Sequence, residues 1–427
     1  DVFPDAYIDT IIIIMSKKDE TAPMIEKRIT NVKRFGIRQS AEELARGAVE
    51  YNQINSSHWI EDDQKRILTD PKIYSIRRKM GQLVVPRAKL LDVSRGITPY
   101  TEIKPGTKIN VKDGFFGSVG RYDLNILKIV PVRYDKSLSE FKPEKYFVGP
   151  RLLIRRIISR QHRIHATYVE EDFLINKSYL PALQKDSKYQ LLYILSLINS
   201  ALFSRIFIWS SEVAKRDDFP QLDIATVNEL PIRRISFTTS KSERERLLNN
   251  TVKLCQKGDS SEVLELVDKC LPRDKDGSFV VKKEKSDVVH DILAYLAGQM
   301  IEMNKQKREE TKGFLSWLER EIGGPVDNLS NKTAIKEYHE NTFDKLIEVL
   351  KKNKKKLSIN PHSREFQAGL EKEFDKSVTK LISLKAKIQT TDALIDQIVY
   401  KLYGLTEDEI KIVEGLFQRR QVSIKNV

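Results

Sequence analysis

The residues best suited to bind a ligand form a basic stretch between Lys142 and His165. Seven lysines and arginines stand there against one acid, Glu144. Arginine predominates, and its planar guanidinium can donate two hydrogen bonds to O6 and N7 of guanine as well as bind phosphate. Because phosphate contacts give affinity and base contacts give specificity, this composition predicts contact with nucleic acid. The basic residues are Lys142, Lys145, Arg151, Arg155, Arg156, Arg160 and Arg163.

The segment Arg160–Arg163 reads RQHR and is typical of a turn, where contact side chains are commonly presented. Gln161 can bind adenine with two hydrogen bonds, and His162 lies beside it. In the preceding segment 151–159, basic and apolar residues do not strictly alternate, so we expect only some arginines to face DNA. Alternatively, the arginines pair with the acidic residues at 170–172.

Other candidate DNA contacts lie outside the basic stretch. For each of them, solvation at the surface is the alternative interpretation. We expect the last two, which follow an amphipathic helix, to hold phosphate. The candidates are Lys177 and Tyr179, then Arg77, Arg78, Lys79 and Arg95, and finally Lys215 and Arg216.

Catalytic motifs are missing from the sequence. An adenine-N6 methyltransferase grips a flipped base with an [N/D]-P-P-[Y/F] loop. The nearest segment, Asn360–Ser363, lacks the second proline and the aromatic residue. The glycine-rich segment 114–120 has no clear helix after it, which favours a hairpin or loop over a nucleotide-binding loop. We therefore predict no catalytic residue in this chain.

No metal site is predicted either. A nuclease centre could be sought among Asp274, Asp276, Glu284 and Lys285, but these residues belong to a charged loop. In a strand, His162 and His165 would point to opposite faces, which suits chelation poorly. The two cysteines, 255 and 270, form no CxxC pair and indicate free thiols in a reducing compartment.

The pattern of apolar residues predicts an α+β fold. Residues 81–235 contain short strands separated by glycine and proline, and residues 190–209 read as one amphipathic helix. From about residue 240 the chain reads as helical to its end. A helix is expected to stop at Gly404, with a second beginning after Thr406. The lysine runs at 351–352 and 354–356 are interpreted as solvated helix faces.

Charge and hydropathy indicate which partner and which cellular location to expect. The chain of 427 residues carries 74 Lys and Arg against 60 Asp and Glu, a net charge of +14 that favours a polyanionic partner. A lysine-rich soluble surface is the alternative. The apolar run at 7–15 is shorter than the ~20 residues of a membrane span, so we expect no membrane partner and a cytoplasmic location.

The order of five short motifs resembles the TaqI-like C-terminal specificity domain of adenine-N6 DNA methyltransferases. That family also occurs in type IIG restriction-modification enzymes and in phage-defence methylases. The motifs are LLDVSRGI at 90–97, RLLIRRII at 151–158, LINKSYL at 174–180, LLYILSLINSALF at 191–203, and the segment from FPQL to ELPI at 219–232. The tail LIDQIVYKLYGLT at 394–406 also resembles C-terminal segments of such enzymes.

The resemblance implies a function. The chain would be the sequence-specific double-stranded DNA reader of an adenine-N6 methyltransferase, which in some family members also cleaves DNA. The reader would close a cleft over DNA opposite the methyltransferase domain of the same parent chain. S-adenosylmethionine would bind in that domain, with no cofactor in this chain.

Three regions are expected. Residues 1–20, with their β-branched run, would be the terminal strand of a missing methyltransferase domain. Residues 21–235 would form a target recognition domain with small mixed sheets, and residues 236–427 a mainly helical C-terminal domain. The alternative function is a helical protein-protein or dimerisation scaffold of a DNA-processing complex, suggested by patchy apolar spacing at Phe343, Leu346 and Leu350.

Overall fold

The computed structural model describes most of the chain from residue 71 onward. The described residues are 29–32, 52–55, 71–85, 90–104, 109–159, 162–210, 221–228 and 230–424, without the side chains of 29–32, 52–55, 71–72, 209–210 and 416–424. The predicted strand at 7–15 and four predicted contacts, Arg160, Gln161, Lys215 and Arg216, lie outside the described residues.

The strands form small antiparallel sheets. They are β1 Ile29–Val32, β2 Asn52–Asn55, β3 Leu91–Val93, β4 Val111–Gly120, β5 Asp123–Arg133, β6 Arg151–Arg155, β7 Ala166–Val169 and β8 Tyr179–Gln184. Strand β1 pairs with β2, β4 pairs with β5, and a four-stranded sheet has the order β3-β8-β6-β7. Strand β6 is buried from Arg151 to Ile154, because it lies inside the sheet and is covered on both faces.

The glycine-rich segment is strand β4 of a hairpin. Its partner β5 continues after a tight turn at 121–122, and the register shifts between Phe116 and Gly117. A side chain on Gly117 would place its Cβ 2.0 Å from the Asn125 carbonyl oxygen, so glycine is needed for the strands to pair. The hairpin packs on a small core that includes Phe115, Val132 and Phe173.

Helices make up the rest of the fold. They are α1 Pro71–Gly81, α2 Leu191–Asn199, α3 Ala201–Ser210, α4 Ile224–Asn228, α5 Lys241–Lys257, α6 Ser260–Cys270, α7 Ser286–Ile322, α8 Lys332–Lys336, α9 Phe343–Lys352, α10 Arg364–Tyr403 and α11 Glu407–Ile424. The α+β class predicted from the sequence is confirmed. The predicted helix end is also confirmed, since Gly404 closes α10 in the left-handed region at φ 68°.

The single helix predicted over 190–209 is wrong. Two helices, α2 and α3, meet there at an angle of 65°. Ser200 is extended between them, and its hydroxyl accepts a hydrogen bond from the Phe203 amide at 3.2 Å, which caps α3. Among the described residues no single helix is long and apolar enough to cross a membrane, and this bent pair reaches that length only together.

Two separate cores stabilise the helical half. The larger core joins Leu152 of β6, Leu195 of α2, Ile292 of α7 and Ile398 of α10. It therefore contains residues from both sides of position 235, and the domain boundary proposed there stays a prediction. A smaller core of α7, α8, α9 and α10 residues includes Phe314, which with its neighbours forms a lobe over 314–381.

Helices α7 and α10 run antiparallel between the two cores, since the start of α7 and the end of α10 share the larger core. Between the cores they form a neck, residues 305–313 and 382–393, in which no side chain is buried. The turn of the β4–β5 hairpin lies against this neck. Arg121 forms an ion pair with Asp392 of α10, and Asp123 forms one with Arg308 of α7.

Candidate nucleic-acid interface

Four basic residues meet at one edge of the four-stranded sheet, and we call Arg95, Arg155, Arg156 and Lys177 the basic edge. Arg155 ends β6 and pairs with Tyr179, the first residue of β8. Lys177 precedes that residue by two positions, and Arg95 follows β3 on the other side of β8. The antiparallel order of the strands thus brings together residues that are far apart in sequence.

A glycine allows the chain after β3 to approach this edge. The Gly96 amide donates to the Tyr179 carbonyl at 3.2 Å. A Cβ on Gly96 would lie 2.1 Å from the Asn176 carbonyl oxygen, so a larger residue would push the segment away. Gly96 therefore sets the position of its neighbour Arg95.

Arg156 stabilises the edge from within. Its guanidinium donates to the Lys177 carbonyl at 3.0 Å, to the Leu222 carbonyl at 3.3 Å and to Gln221 Oε1 at 2.9 Å. Burial lowers the pKa of Arg156, and the positive charge of Arg95 lowers it further. The carboxylates of Glu140 and Asp223 act on the pKa of Arg156 in the opposite direction.

Arg155, Arg95 and Lys177 remain open for a ligand. Within the described part of the chain, none of the three makes a side-chain ion pair or hydrogen bond. Lys177 is exposed, and the two arginines are half-buried. Unsatisfied guanidinium and ammonium groups that can be reached from solvent favour an anionic partner.

The other arginines of β6 and its turn are engaged inside the protein. Arg151 is fully buried, and its guanidinium donates to the carbonyls of Gly149 and Glu171 at 2.7 and 2.8 Å. Burial lowers the pKa of Arg151 to about 10. Arg163 donates to the Asn199 carbonyl at 2.9 Å and to Asp396 at 3.4 Å. The pairing partners are therefore mainly carbonyls rather than the acids at 170–172.

Tyr179 and His162, two further predicted contacts, are also wholly or partly buried in the protein. The Tyr179 side chain is buried, and its hydroxyl donates to the Gly117 carbonyl at 3.0 Å, which ties the hairpin to the sheet. Burial raises the pKa of Tyr179. His162 is half-buried and adopts a positive φ of 54°.

The three basic residues of α1 lie apart from the basic edge. Lys79 donates to the Gly404 carbonyl at 3.1 Å and to Glu409 at 2.6 Å, so it joins the end of α10 to the start of α11. Arg77 is half-buried and Arg78 is exposed, and both take part in contacts within the protein. This placement groups them with the helical half of the molecule.

Sequence reasoning missed the polar cluster that joins the sheet to α10. Arg121 and Arg163 face Asp392 and Asp396, and Asp396 accepts from the Ala201 amide at 2.7 Å. Burial raises the pKa of Asp396, whereas the charge of Arg163 opposes that rise. Because the partners lie up to 271 residues apart, no local pattern could have indicated them.

The acidic residues considered for a nuclease centre are not brought together. Asp274 accepts hydrogen bonds from the amides of Asp276 and Ser278, which closes a turn. Glu284 is buried against Arg233. Within the described ranges, no three His, Cys, Asp or Glu side chains lie where they could share a metal ion.

The effect of burial and of the neighbouring arginine charges on His165 can be tested through the pH dependence of stability. Burial and the charges of Arg155 and Arg121 lower its pKa from 6.5 to about 4. The unfolded chain therefore binds a proton that the folded chain rejects, and stability present above about pH 6.5 is lost as pH falls towards 4. Between pH 7 and pH 4.5, we expect the free energy of unfolding, measured in urea, to fall more for the wild type than for His165→Gln. The difference should be on the order of 1–3 kcal/mol.

The exposed His362→Gln replacement is the matched control for that measurement. Equal pH dependence in the wild type and in His165→Gln would show that the folded protein tolerates a charged His165.

Comparison with known proteins agrees with the resemblance seen in the motifs. Residues 115–232 match the TaqI-like C-terminal specificity domain. Residues 286–399, from the start of α7 to near the end of α10, match a domain of unknown function, DUF8810. A predicted type II restriction enzyme and methyltransferase of Methanocaldococcus jannaschii is 29% identical over 244 residues, which is 54% of this chain and 20% of that protein. The chain thus spans about a fifth of the length of this curated relative.

Proposed function

We propose that this chain reads double-stranded DNA as the specificity part of an adenine-N6 DNA methyltransferase in a restriction-modification system. The observation that carries the proposal is the basic edge, in which Arg155, Arg156 and Lys177 lie inside the stretch that matches the TaqI-like specificity domain, while Arg95 precedes that stretch. Arg155, Arg95 and Lys177 are open there, while Arg151, Arg156 and Arg163 are held by internal contacts. The match to a specificity domain and the restriction-methyltransferase relative support the same role.

The open residues suit different tasks in DNA recognition. A guanidinium such as that of Arg155 can bind O6 and N7 of guanine, and a good contact of this kind discriminates between bases by ~1–3 kcal/mol. Lys177 is a compact charge on a flexible stem and suits phosphate. The engaged Arg156 holds the two strand ends in place, so that the contacts are presented in a fixed geometry.

Methyl transfer is assigned to another part of the parent protein. The glycines at 114–120 serve strand pairing and do not form a loop before a helix, so this segment does not fit S-adenosylmethionine. We place that cofactor in a methyltransferase domain of the same parent chain. A type IIG enzyme that also cleaves DNA, a role in phage defence and a cytoplasmic location accord with this assignment.

The scaffold alternative has less support. The apolar residues Leu346 and Leu350, whose spacing suggested it, are buried in the core of the lobe with Phe343 packed beside them. They are therefore not available to a partner helix. The described part of the chain offers no comparable apolar seam on α9.

Selection from a random library of 30-bp duplexes tests the proposal. The chain should enrich a sequence motif, and fluorescence anisotropy should show tighter binding to that motif than to a scrambled duplex. Arg155→Ala should relax the preference at one base pair by ~1–3 kcal/mol. Lys177→Ala should weaken binding to all sequences and make the slope of log K against log salt shallower by about one.

The matched control for Lys177→Ala is Lys188→Ala, at the opposite end of β8. Both lysines are exposed, so the two variants change the net charge of the surface equally. An unenriched library, or equal losses in the two lysine variants, would contradict the proposal.

A further inference from the structure

Three lysines at the outer end of the lobe form a second basic feature. Helix α9 ends at Lys352, and residues 354–356 add one turn of 3-10 helix. We call Lys351, Lys354 and Lys355 the lysine turn. Lys354 and Lys355 are exposed, and Lys351 is half-buried. In the part of the chain that the structure describes, none of the three side chains forms an ion pair or hydrogen bond.

Four neighbouring lysines of the lobe are paired, two on each of two carboxylates. Asp327 binds Lys332 and Lys336 at 3.0 and 2.9 Å. Glu348 binds Lys345 and Lys352. These two acids are therefore already engaged, and among the described residues no carboxylate pairs with the lysine turn.

A buried asparagine fixes the lysine turn on the lobe. The Asn353 side chain donates to the carbonyls of Ser330 and Val349 at 3.1 and 2.8 Å. Its oxygen accepts from the Ser330 amide at 2.8 Å. Because the backbone of the turn is already ordered, little backbone entropy would be lost when an anion binds it.

A chain of contacts connects the lysine turn to the basic edge and gives the length of the path between them. The Ser358 amide donates to the Ile322 carbonyl at 2.9 Å, so the turn sits at the outer end of α7. Arg308 of the same helix contacts Asp123 of the hairpin. The α-helical rise of 1.5 Å per residue separates Arg308 and Ile322 by about 21 Å.

Tyr179, beside the basic edge, contacts Gly117 of the same hairpin. Adding the four residues from Gly117 to the hairpin turn, at ~3.3 Å each, gives a path of roughly 35 Å from the basic edge to the lysine turn. A path of this length corresponds to about ten base pairs at 3.4 Å each.

From this placement we infer that the lysine turn binds the phosphate backbone of duplex DNA outside the recognised sequence. The inference rests on the proposed function, because it requires DNA at the basic edge. Ammonium groups without planar forks suit phosphate rather than base edges, so the contact adds affinity for any flanking sequence. The long helices α7 and α10 then act as the arm that holds this contact beside the reader.

Duplex length provides the test. Lys351, Lys354 and Lys355 are replaced together by alanine, and binding to 30-bp and 12-bp duplexes, each carrying the enriched motif, is measured between about 50 and 200 mM salt. On the 30-bp duplex, we expect the slope of log K against log salt to become shallower by about two to three. On the 12-bp duplex, which ends before the lysine turn, the slope should not change.

Two further variants complete the design. The combined alanine replacement of Lys275, Lys282 and Lys283, exposed residues near the opposite end of α7, changes the net charge equally and should keep the wild-type slope. Replacing the lysine turn by arginine should also keep it, because the charge is retained. The melting temperature of each variant is measured in parallel.

Several results would overturn the inference. One is an unchanged slope of log K against log salt on the 30-bp duplex. Another is a slope that becomes shallower by the same amount on both duplex lengths. A third is a lower melting temperature with unchanged binding, which would mean that the lysines only complement the helix ends. Random-sequence duplexes of both lengths are measured as well. The length effect can therefore be judged even when no motif is enriched, and failure of sequence reading is seen separately from failure of the lysine contact.

Discussion

Replacement of Glu284 by alanine is expected to lower the free energy of unfolding by about 3–5 kcal/mol, because it leaves the guanidinium of Arg233 buried without a counter-charge. The two side chains are 4% and 2% exposed, and their atoms lie 2.8 Å apart. Glu284 also accepts from the hydroxyls of Ser236 and Ser286 at 3.2 and 3.1 Å. The pair joins the segment that follows residue 232, where the match to the specificity domain ends, to the beginning of α7.

The pair itself need not be stabilising relative to apolar residues. Nε and Nη1 of Arg233 have no hydrogen-bond partner among the described residues, although the guanidinium lies 4.7 Å from the centre of the Phe279 ring. Combined replacement of Arg233 and Glu284 by methionine removes both charges while filling the space. We therefore expect the double variant to recover most of the stability lost in Glu284→Ala.

Urea denaturation of Arg233→Met, Glu284→Met and the double methionine variant measures this coupling, with Glu284→Ala measured beside them. The control is Arg246→Ala, which breaks the exposed pair with Glu243 at 2.9 Å and should change stability little. A loss in Glu284→Ala no larger than that of the control would show that the buried pair is reached by water.

The sequence allowed the fold class and several helix ends to be predicted, because these depend on local residue types. Gly404 ends α10 since the left-handed conformation there suits a residue without Cβ. Thr406 accepts from the Glu409 amide at 3.3 Å, as a helix-capping residue does. The glycine-rich segment became a hairpin strand because its glycines lie opposite β5.

The bend at Ser200 could not be predicted from periodicity. Apolar residues continue from α2 into α3 on every side, since both helices are buried almost all round in the larger core. Such a run fits one helix as well as two. The capping hydroxyl of Ser200 is the local feature that could have indicated the break.

The candidate site was predicted as a region rather than as a set of contacts. The density of arginine indicated β6 and its turn, yet the sequence does not show which guanidinium groups are engaged inside the protein. Arg163 contacts Asp396, 233 residues away, and Arg156 contacts Gln221. Only the tertiary structure distinguishes these engaged arginines from Arg155, which remains open. The DNA contacts of the basic edge therefore stay predictions that binding measurements must test.

The second large loss of stability is expected from a replacement in the lobe. Phe314→Ala should cost about 3–5 kcal/mol, because it empties the centre of the smaller core. Phe314 stacks on Tyr338 with 3.9 Å between ring centres, and Phe374 packs against both rings. In the part of the chain that the structure describes, the two cores are joined through α7 and α10, whose neck contains no buried side chain. We expect the loss to remain within the lobe.

Hydrogen exchange can measure that local effect. Amides of α9 should lose protection in Phe314→Ala, whereas those of α7 in the larger core, at 288–300, should keep it. Replacement of Ile382, which is 61% exposed in the neck, by alanine is the control and should change protection little. Equal loss of protection in both regions would show that the cores unfold as one unit.

If the lobe melts alone, the lysine turn is lost with it. Phe314→Ala should then remove the binding advantage of the 30-bp duplex while leaving binding to the 12-bp duplex intact.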